Sequence, residues 1–328
     1  MDKKTIKFIL KFFIFIGFGY LFYVLTVINV FQDISLEPIL DKPYTSLKNS
    51  QHKDSVYLIS YADGPEIFYQ NQNFLVYSAL NKGVDHFINY RRNLLDRDFL
   101  EKYGQILNEK CGAGYWLWKP WIILKTMKST PANATIIYLD AGFCLCGELD
   151  EIFNLSKFHD VMIAEGGPAD GSMSSIVKEK ILEKFEIPLT IAKQTKQILA
   201  NFIVIKNTPA AREFIEKWFK LCCEKDLITG NNYGPGDHLH DQALLNITYL
   251  KYPEGVKILR HDQSTKFLSW HHRKNDRKTI TLTAYLRKHL TIFERKLLNA
   301  PVLKDIRYFL RTKFSNLLEK HPQATEGL

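Results

Sequence analysis

Between Thr135 and Cys146 the chain reads TIIYLDAGFCLC, and no other stretch limits the fold as much. Thr135, Ile136, Ile137, Tyr138 and Leu139 are β-branched, aliphatic or aromatic without a break, the signature of a short buried strand. Asp140, Ala141 and Gly142 end it abruptly. A carboxylate is thereby placed at a strand's C-terminal edge, where open α/β sheets bind their ligands. The residues alone leave two readings: an Asp that starts a turn, or an Asp that serves a site.

The flanking segments repeat the pattern. Ser55–Tyr61 (SVYLISY) predicts a strand stopped at Ala62, Asp63 and Gly64, then a helix to about Leu80 and a second strand over Asp85–Tyr90. Strand, helix, strand at this spacing opens a mainly parallel sheet. A short helix is expected over Phe99–Leu107, and another over Trp121–Met127 with Pro120 in its first turn. The lead CGAGYWLWKP has neither the Walker spacing nor GxGxxG, so it is no phosphate loop. Its Tyr115, Trp116 and Trp118 fit either core packing or stacking on a sugar or base. Downstream, Glu148–Phe153 predicts a short acidic helix and Asp160–Ala164 a strand. Ile176–Phe185 predicts a helix, Asn201–Lys206 a strand and Ala210–Cys223 an amphipathic helix. His238 to Gln242 opens a further helix reaching about Tyr249, and Ile258–His261 is a last strand.

With 328 residues, 46% of them hydrophobic and 13% aromatic, the chain can bury one large core or two modest ones. The formal charge of +9 is concentrated at one end. Lys266 to Lys320 holds fourteen Lys and Arg against four Asp and Glu, so the rest is close to neutral. No zinc-finger or RNA-recognition signature accompanies it, and no nucleic-acid partner is expected. The five cysteines lack the spacing of a disulfide framework or a zinc site and read as small buried residues, with room for one bridge among them.

From Phe12 to Phe31 no charged residue occurs, and twenty residues at about 1.5 Å each just span a hydrocarbon core of roughly 30 Å. The run does not end in small residues as a cleaved signal would, so a retained transmembrane anchor over 12–31 is expected. Lys3, Lys4, Lys7 and Lys11 precede it, and the positive-inside rule leaves the N-terminus cytoplasmic in a single-pass membrane protein. The expected order is a basic segment at 1–11, the anchor, a stem at 32–54, a folded domain at 55–280 and a basic amphipathic helical tail at 281–328. That tail either packs on the domain or lies on the bilayer. The domain is lumenal in a Golgi-type arrangement if the source is eukaryotic, whereas a bacterial source implies the inner membrane. Sequons at Asn133, Asn154 and Asn246 would carry glycan only in the first case.

YLDAGFCLCGELDEIF, DVMIAEGG, NFIVIKNT and HDQALLN follow one another, and a His-rich end closes the series. This order resembles the GT-A nucleotide-sugar glycosyltransferases, most of all the retaining family 8 type. There a strand ends in DxD, a short acidic helix follows, a later helix begins with DQ, and a C-terminal His closes the site. The likeness runs from Val56 to about Arg273 and is specific in its central YLDAG and ELDEIF block. It implies an α/β, GT-A-like (Rossmann-related) fold: a mixed, mainly parallel sheet flanked by helices, here preceded by one transmembrane helix. It also implies a nucleotide-sugar donor, a glycan, glycoprotein or glycolipid acceptor, and Mn²⁺ or Mg²⁺ as cofactor. Where the family has the second Asp of DxD this chain has Gly142, so Asp140 needs other metal ligands, with His261 or His271 at the position of the closing His.

Glycosyl transfer from such a donor requires the leaving diphosphate's charge to be neutralised, by a divalent cation or by fixed cations. Asp140 is the candidate for holding the metal and the diphosphate end of the donor, and Arg92, Lys119, Lys266 and Arg273 are the candidate fixed cations. Tyr61, Ala62 and Asp63, at the first strand's end, are expected against base and ribose. Asp241 and Glu165 are the candidate catalytic carboxylates. One would act as general base in an inverting reaction, or steady the positive anomeric carbon in a retaining one; the resemblance implies retention. The expected function is a membrane-anchored glycosyltransferase acting on a hydroxyl acceptor. The alternative, motivated by Gly142, is a catalytically degenerate GT-A-like domain that binds glycan or nucleotide sugar without turnover. A haloacid-dehalogenase-type phosphotransferase would need a second Asp two residues after the first and an early position in the domain, and neither is present.

Overall fold

The run from Thr135 to Leu139 forms a strand with all five side chains buried. The computed structural model to which it belongs describes residues 44–46, 54–79, 82–145, 147, 149–230 and 238–270. The chain divides into two units, Met1–Thr45 and Ser46–Leu328, and the fold described is that of the second. The expected anchor, most of the stem, His271, Arg273 and the basic tail lie outside the described residues. Among those described, no helix is long and apolar enough to cross a membrane.

In chain order the second unit has β1 (Val56–Tyr61), α1 (Glu66–Ala79), β2 (His86–Tyr90), α2 (Trp118–Ser129), β3 (Thr135–Leu139), β4 (Phe143–Leu145), α3 (Asp150–Leu155), β5 (Val161–Glu165), β6 (Ile198–Lys206), α4 (Pro209–Cys222), α5 (His240–Lys251), β7 (Val256–Leu259) and β8 (Leu268–Trp270), with shorter helical turns between them. The main-sheet order is β2-β1-β3-β6-β5-β7. β1 is parallel to β2 and β3, β5 is parallel to β7, and β6 runs antiparallel to both β3 and β5. The sheet is therefore mixed and mainly parallel, with helices on both faces. A separate ribbon pairs β4 with β8, Phe143 opposite Trp270.

The two-residue period of each strand decides which helical layer a side chain meets. Tyr57, Ile59, Ile136, Tyr138, Ile163 and Ile203 pack with Ile122 of α2, Trp218 of α4 and Leu244 of α5. Their neighbours Leu58, Ile137, Leu139, Met162, Phe202 and Val204 pack with Leu75 of α1 and Ile152 of α3. Both faces being covered, the strands show no polar alternation, and each large apolar side chain buried stabilises the fold by roughly 1.5–3 kcal/mol. In α4, Thr208 accepts a hydrogen bond from Ala211 N at 3.1 Å, Pro209 follows it, and Phe214, Ile215, Trp218 and Cys222 form the buried face.

Several expected boundaries move, each for a local reason. Phe99–Leu107 forms two helices, Arg97–Lys102 and Gly104–Leu107, broken at Tyr103 with φ −112°. Ile176–Phe185 is helical only over Glu179–Lys184, because Lys178, with ψ 139°, is extended and starts the helix one residue later. The last expected strand ends at Leu259 rather than His261. There Arg260 N donates to Gln263 Oε1 at 3.1 Å, and His261 opens a short helix. Cys222 and Cys223 are free thiols.

Candidate active site

Three elements bring one cation and two carboxylates together. β3 delivers Asp140, whose backbone N–H is fixed by Asn201 O of β6 at 2.9 Å. Tyr138, two residues earlier and so on the same side of the strand, donates its hydroxyl to Asp140 Oδ1 at 2.5 Å. The first turn of α2 delivers Lys119, and the first turn of α5 delivers Asp241. Lys119 Nζ lies 2.8 Å from Asp241 Oδ2 and 3.5 Å from Asp140 Oδ1, with only 3% of its side chain exposed. The rings of Tyr138 and Trp118 lie 5.3 and 5.9 Å from the same ammonium, close enough for cation–π attraction.

Burial by itself would strip Lys119 of its charge, but Asp140 and Asp241 outweigh it and raise the ammonium's pKa above the ordinary value. Burial also acts on Asp241, pushing it up to about 6 against the pull of Lys119. The cluster thus keeps a charged ammonium under the sheet edge and a carboxylate that titrates near neutrality.

Polar side chains of α5 explain how Asp241 reaches β3. Asn246 accepts from Ile198 N and donates to Ile198 O, both at 2.9 Å, and Gln242 Oε1 accepts from Ala200 N at 3.2 Å. These amides extend the ladder at the start of β6, the strand beside Asp140. Trp218 Nε1 adds a bond to Asp241 O at 2.9 Å. Asn246 is buried by this pairing, which removes it as a glycan acceptor.

The chain enters α2 through an unusual turn. Gly112, Ala113, Gly114, Tyr115 and Trp116 have φ of 56°, 51°, 99°, 52° and 61°, five successive left-handed residues. Each non-glycine residue held this way costs about 1–3 kcal/mol, so surrounding contacts must enforce the turn. Gly112 O accepts from Trp118 Nε1 at 2.9 Å, and Trp118 stacks on Tyr61 at 3.9 Å between centroids. A Cβ on Gly114 would stand 2.6 Å from Leu107 Cα. Gly114→Ala is therefore expected to destabilise the protein by about 2 kcal/mol or more, read as a lower urea midpoint.

No protein-family model matches this sequence. No curated protein matches it either. Among solved structures it is similar to mouse xyloside xylosyltransferase 1 in its apo form (13% identity over 62% of this chain and 85% of that one, TM-score 0.40). It is similar also to the galactosyltransferase LgtC in complex with donor and acceptor sugar analogs (14%, 62% and 72%, TM-score 0.36). A third is the apo bifunctional glycosyltransferase WbbM (11%, TM-score 0.38), of which this chain, over 65% of its own length, spans 40%.

The other expected site residues are placed as follows. Tyr61 donates its hydroxyl to Asp63 Oδ2 at 3.3 Å, and burial, then the Asp63 carboxylate, raise its pKa far above the ordinary value. Ala62 is buried, with its N–H on Tyr90 O. Arg92 donates to Leu107 O (2.7 Å) and Asn108 Oδ1 (2.5 Å). Glu165 ends β5, paired with Lys196 at 2.7 Å, and Lys266 lies 3.6 Å from Glu151 on the surface. His261 sits against Gly167, where a Cβ would meet its imidazole at 2.9 Å. Sequence reading gave no role to Tyr138 or to the left-handed turn; Tyr138 was legible as the residue two before Asp140.

Among the described residues no group of three or more His, Cys, Asp or Glu side chains converges as a metal site. Asp140 has one carboxylate oxygen engaged by Tyr138 and Lys119, and Asp241 is committed to Lys119. The described residues alone do not fit Mn²⁺ or Mg²⁺, each of which requires several oxygen ligands.

Proposed function

We propose that the chain is a glycosyltransferase that moves a sugar from a nucleotide-diphosphate donor to a hydroxyl acceptor, with retention at the anomeric carbon. One observation carries the reading: Lys119, a candidate fixed cation, meets Asp140 of the YLDAG segment and Asp241 of the HDQ segment at the edge where β3 ends. Tyr61 at the end of β1, stacked on Trp118 of α2, and the Asp63 carboxylate just after β1 border that edge and fit a base and a ribose hydroxyl. Asp241 supplies negative charge to a positively charged anomeric carbon, and Lys119 supplies fixed positive charge near the departing diphosphate. Asp140 orients Lys119 and is the carboxylate open to a donor hydroxyl. We further propose that Phe12–Phe31 anchors the enzyme in a membrane, with a glycan-bearing acceptor on the domain's side.

Turnover of a panel of nucleotide sugars, with and without Mn²⁺, tests the activity. Expected is release of nucleotide diphosphate from at least one donor and loss of that release in Asp140→Asn. Binding of a nucleotide sugar with no turnover would favour the binding-only alternative, and a nucleotide diphosphate bound away from Asp140 would overturn the site. Extraction checks the anchor, since a chain released without detergent has none, and protease protection of the domain in sealed vesicles would exclude a cytoplasmic-facing domain.

A further inference from the structure

We propose that His240 is a positioning residue, and that with the left-handed turn Gly112–Trp116 it sets the pairing of Asp241 with Lys119. This rests on the reading of Lys119, Asp140 and Asp241 as the transfer site. His240 is buried and immediately precedes Asp241, and its φ of 45° is left-handed. Its Nδ1 lies 2.8 Å from Ile228 O, and a carbonyl only accepts, so Nδ1 carries the proton. Nε2 is then the acceptor, 3.6 Å from Cys111 Sγ.

The rings of Tyr115 and Trp116 close over the imidazole at 4.8 and 5.7 Å between centroids. The Trp116 ring in turn lies on the open face of Gly112, where a Cβ would meet it at 2.3 Å. His240 is thus enclosed by Cys111, Tyr115 and Trp116, and the same segment leads into α2. Trp116 O accepts from Lys119 N at 2.9 Å. One cluster therefore fixes the residue before Asp241 and the turn that carries Lys119. Trp116 and His240 both hold left-handed backbone conformations that their side-chain contacts must keep in place. Ordinary core packing would stabilise the fold without governing the relative placement of the two charges, and the two cases differ in what they do to Lys119.

His240→Gly and Trp116→Gly remove the rings while leaving the left-handed backbone accessible. His240→Asn tolerates the same φ and keeps an N–H for Ile228 O. Ile152→Ala, in the layer on the other side of the sheet, serves as a control that lowers stability without touching the cluster. Acetic anhydride labelling of the folded full chain, quantified lysine by lysine by mass spectrometry, is the readout that does not depend on activity. Both glycine variants are expected to raise Lys119 labelling by about tenfold over the control, with other lysines unchanged. They are also expected to lower kcat by about tenfold or more while donor KM stays within about twofold, and His240→Asn to restore most of both. Lys119 protection in the variants equal to that in Ile152→Ala overturns the proposal. If His240→Gly does not fold, Trp116→Gly and His240→Asn decide it by the same labelling. Full turnover by Asp241→Asn would instead defeat the transfer-site reading, and the labelling would still decide the positioning role.

Discussion

Lys119→Met is expected to destabilise the protein by about 3–5 kcal/mol and to abolish donor turnover, because it leaves the buried Asp241 carboxylate without its cation. Asp241 has only 5% of its side chain exposed, so water does not replace the ammonium 2.8 Å away, whereas Asp140, 3.5 Å from that ammonium, keeps 17% of its side chain exposed. The deficit should depend on pH. The folded-state pKa of Asp241, about 6, lies above its ordinary 3.8, so the folded chain holds that proton more tightly than the unfolded one. The stability this contributes is full below 3.8 and lost as pH rises through about 6. Removing Lys119 takes away the interaction that lowers this pKa, so the loss deepens and extends to higher pH. The raised pKa of Lys119 works in the same direction: the parent keeps that contribution below 10.5 and loses it only as pH climbs through the raised value. Urea unfolding of parent and variant at about pH 4 and about pH 8 should show the larger deficit at the higher pH. Equal deficits would mean that the pair contributes nothing electrostatic.

Asp241→Asn is expected to lower kcat by about 10²–10³-fold with little change in donor KM. The substitution keeps the shape and the Trp218 bond to the backbone carbonyl, and Lys119 retains Asp140. Stability should therefore change much less than in Lys119→Met, which separates a chemical role from a structural one. An equal loss in kcat and 1/KM would place the carboxylate in donor binding instead. Unchanged kcat would remove Asp241 from the chemistry.

The site was legible in unequal parts. Asp140 could be read directly, since five β-branched, aliphatic or aromatic residues ending at a carboxylate leave few places for that carboxylate except a strand's edge. Asp241 was marked by the HDQ start of a helix. Lys119 was one of four candidate cations and nothing local set it apart: Arg92 carries the same charge, yet it bonds to Leu107 O and Asn108. What distinguishes Lys119 is that α2 and α5, separated by more than a hundred residues, pack on the same face of the sheet. Asn246 shows the same limit in another form. Its triplet reads as a sequon, but its amide completes the ladder of β6 at Ile198.

The sequence by itself determined the layered α/β core, the strand that ends at Asp140 and the amphipathic α4, because burial on one or both faces writes a short period into adjacent residues. Only the tertiary structure decided which cation meets which carboxylate. The left-handed turn through Ala113, Tyr115 and Trp116 and the left-handed His240 also belong to it, since isolated L-residues disfavour positive φ and only contacts distant in sequence hold them there.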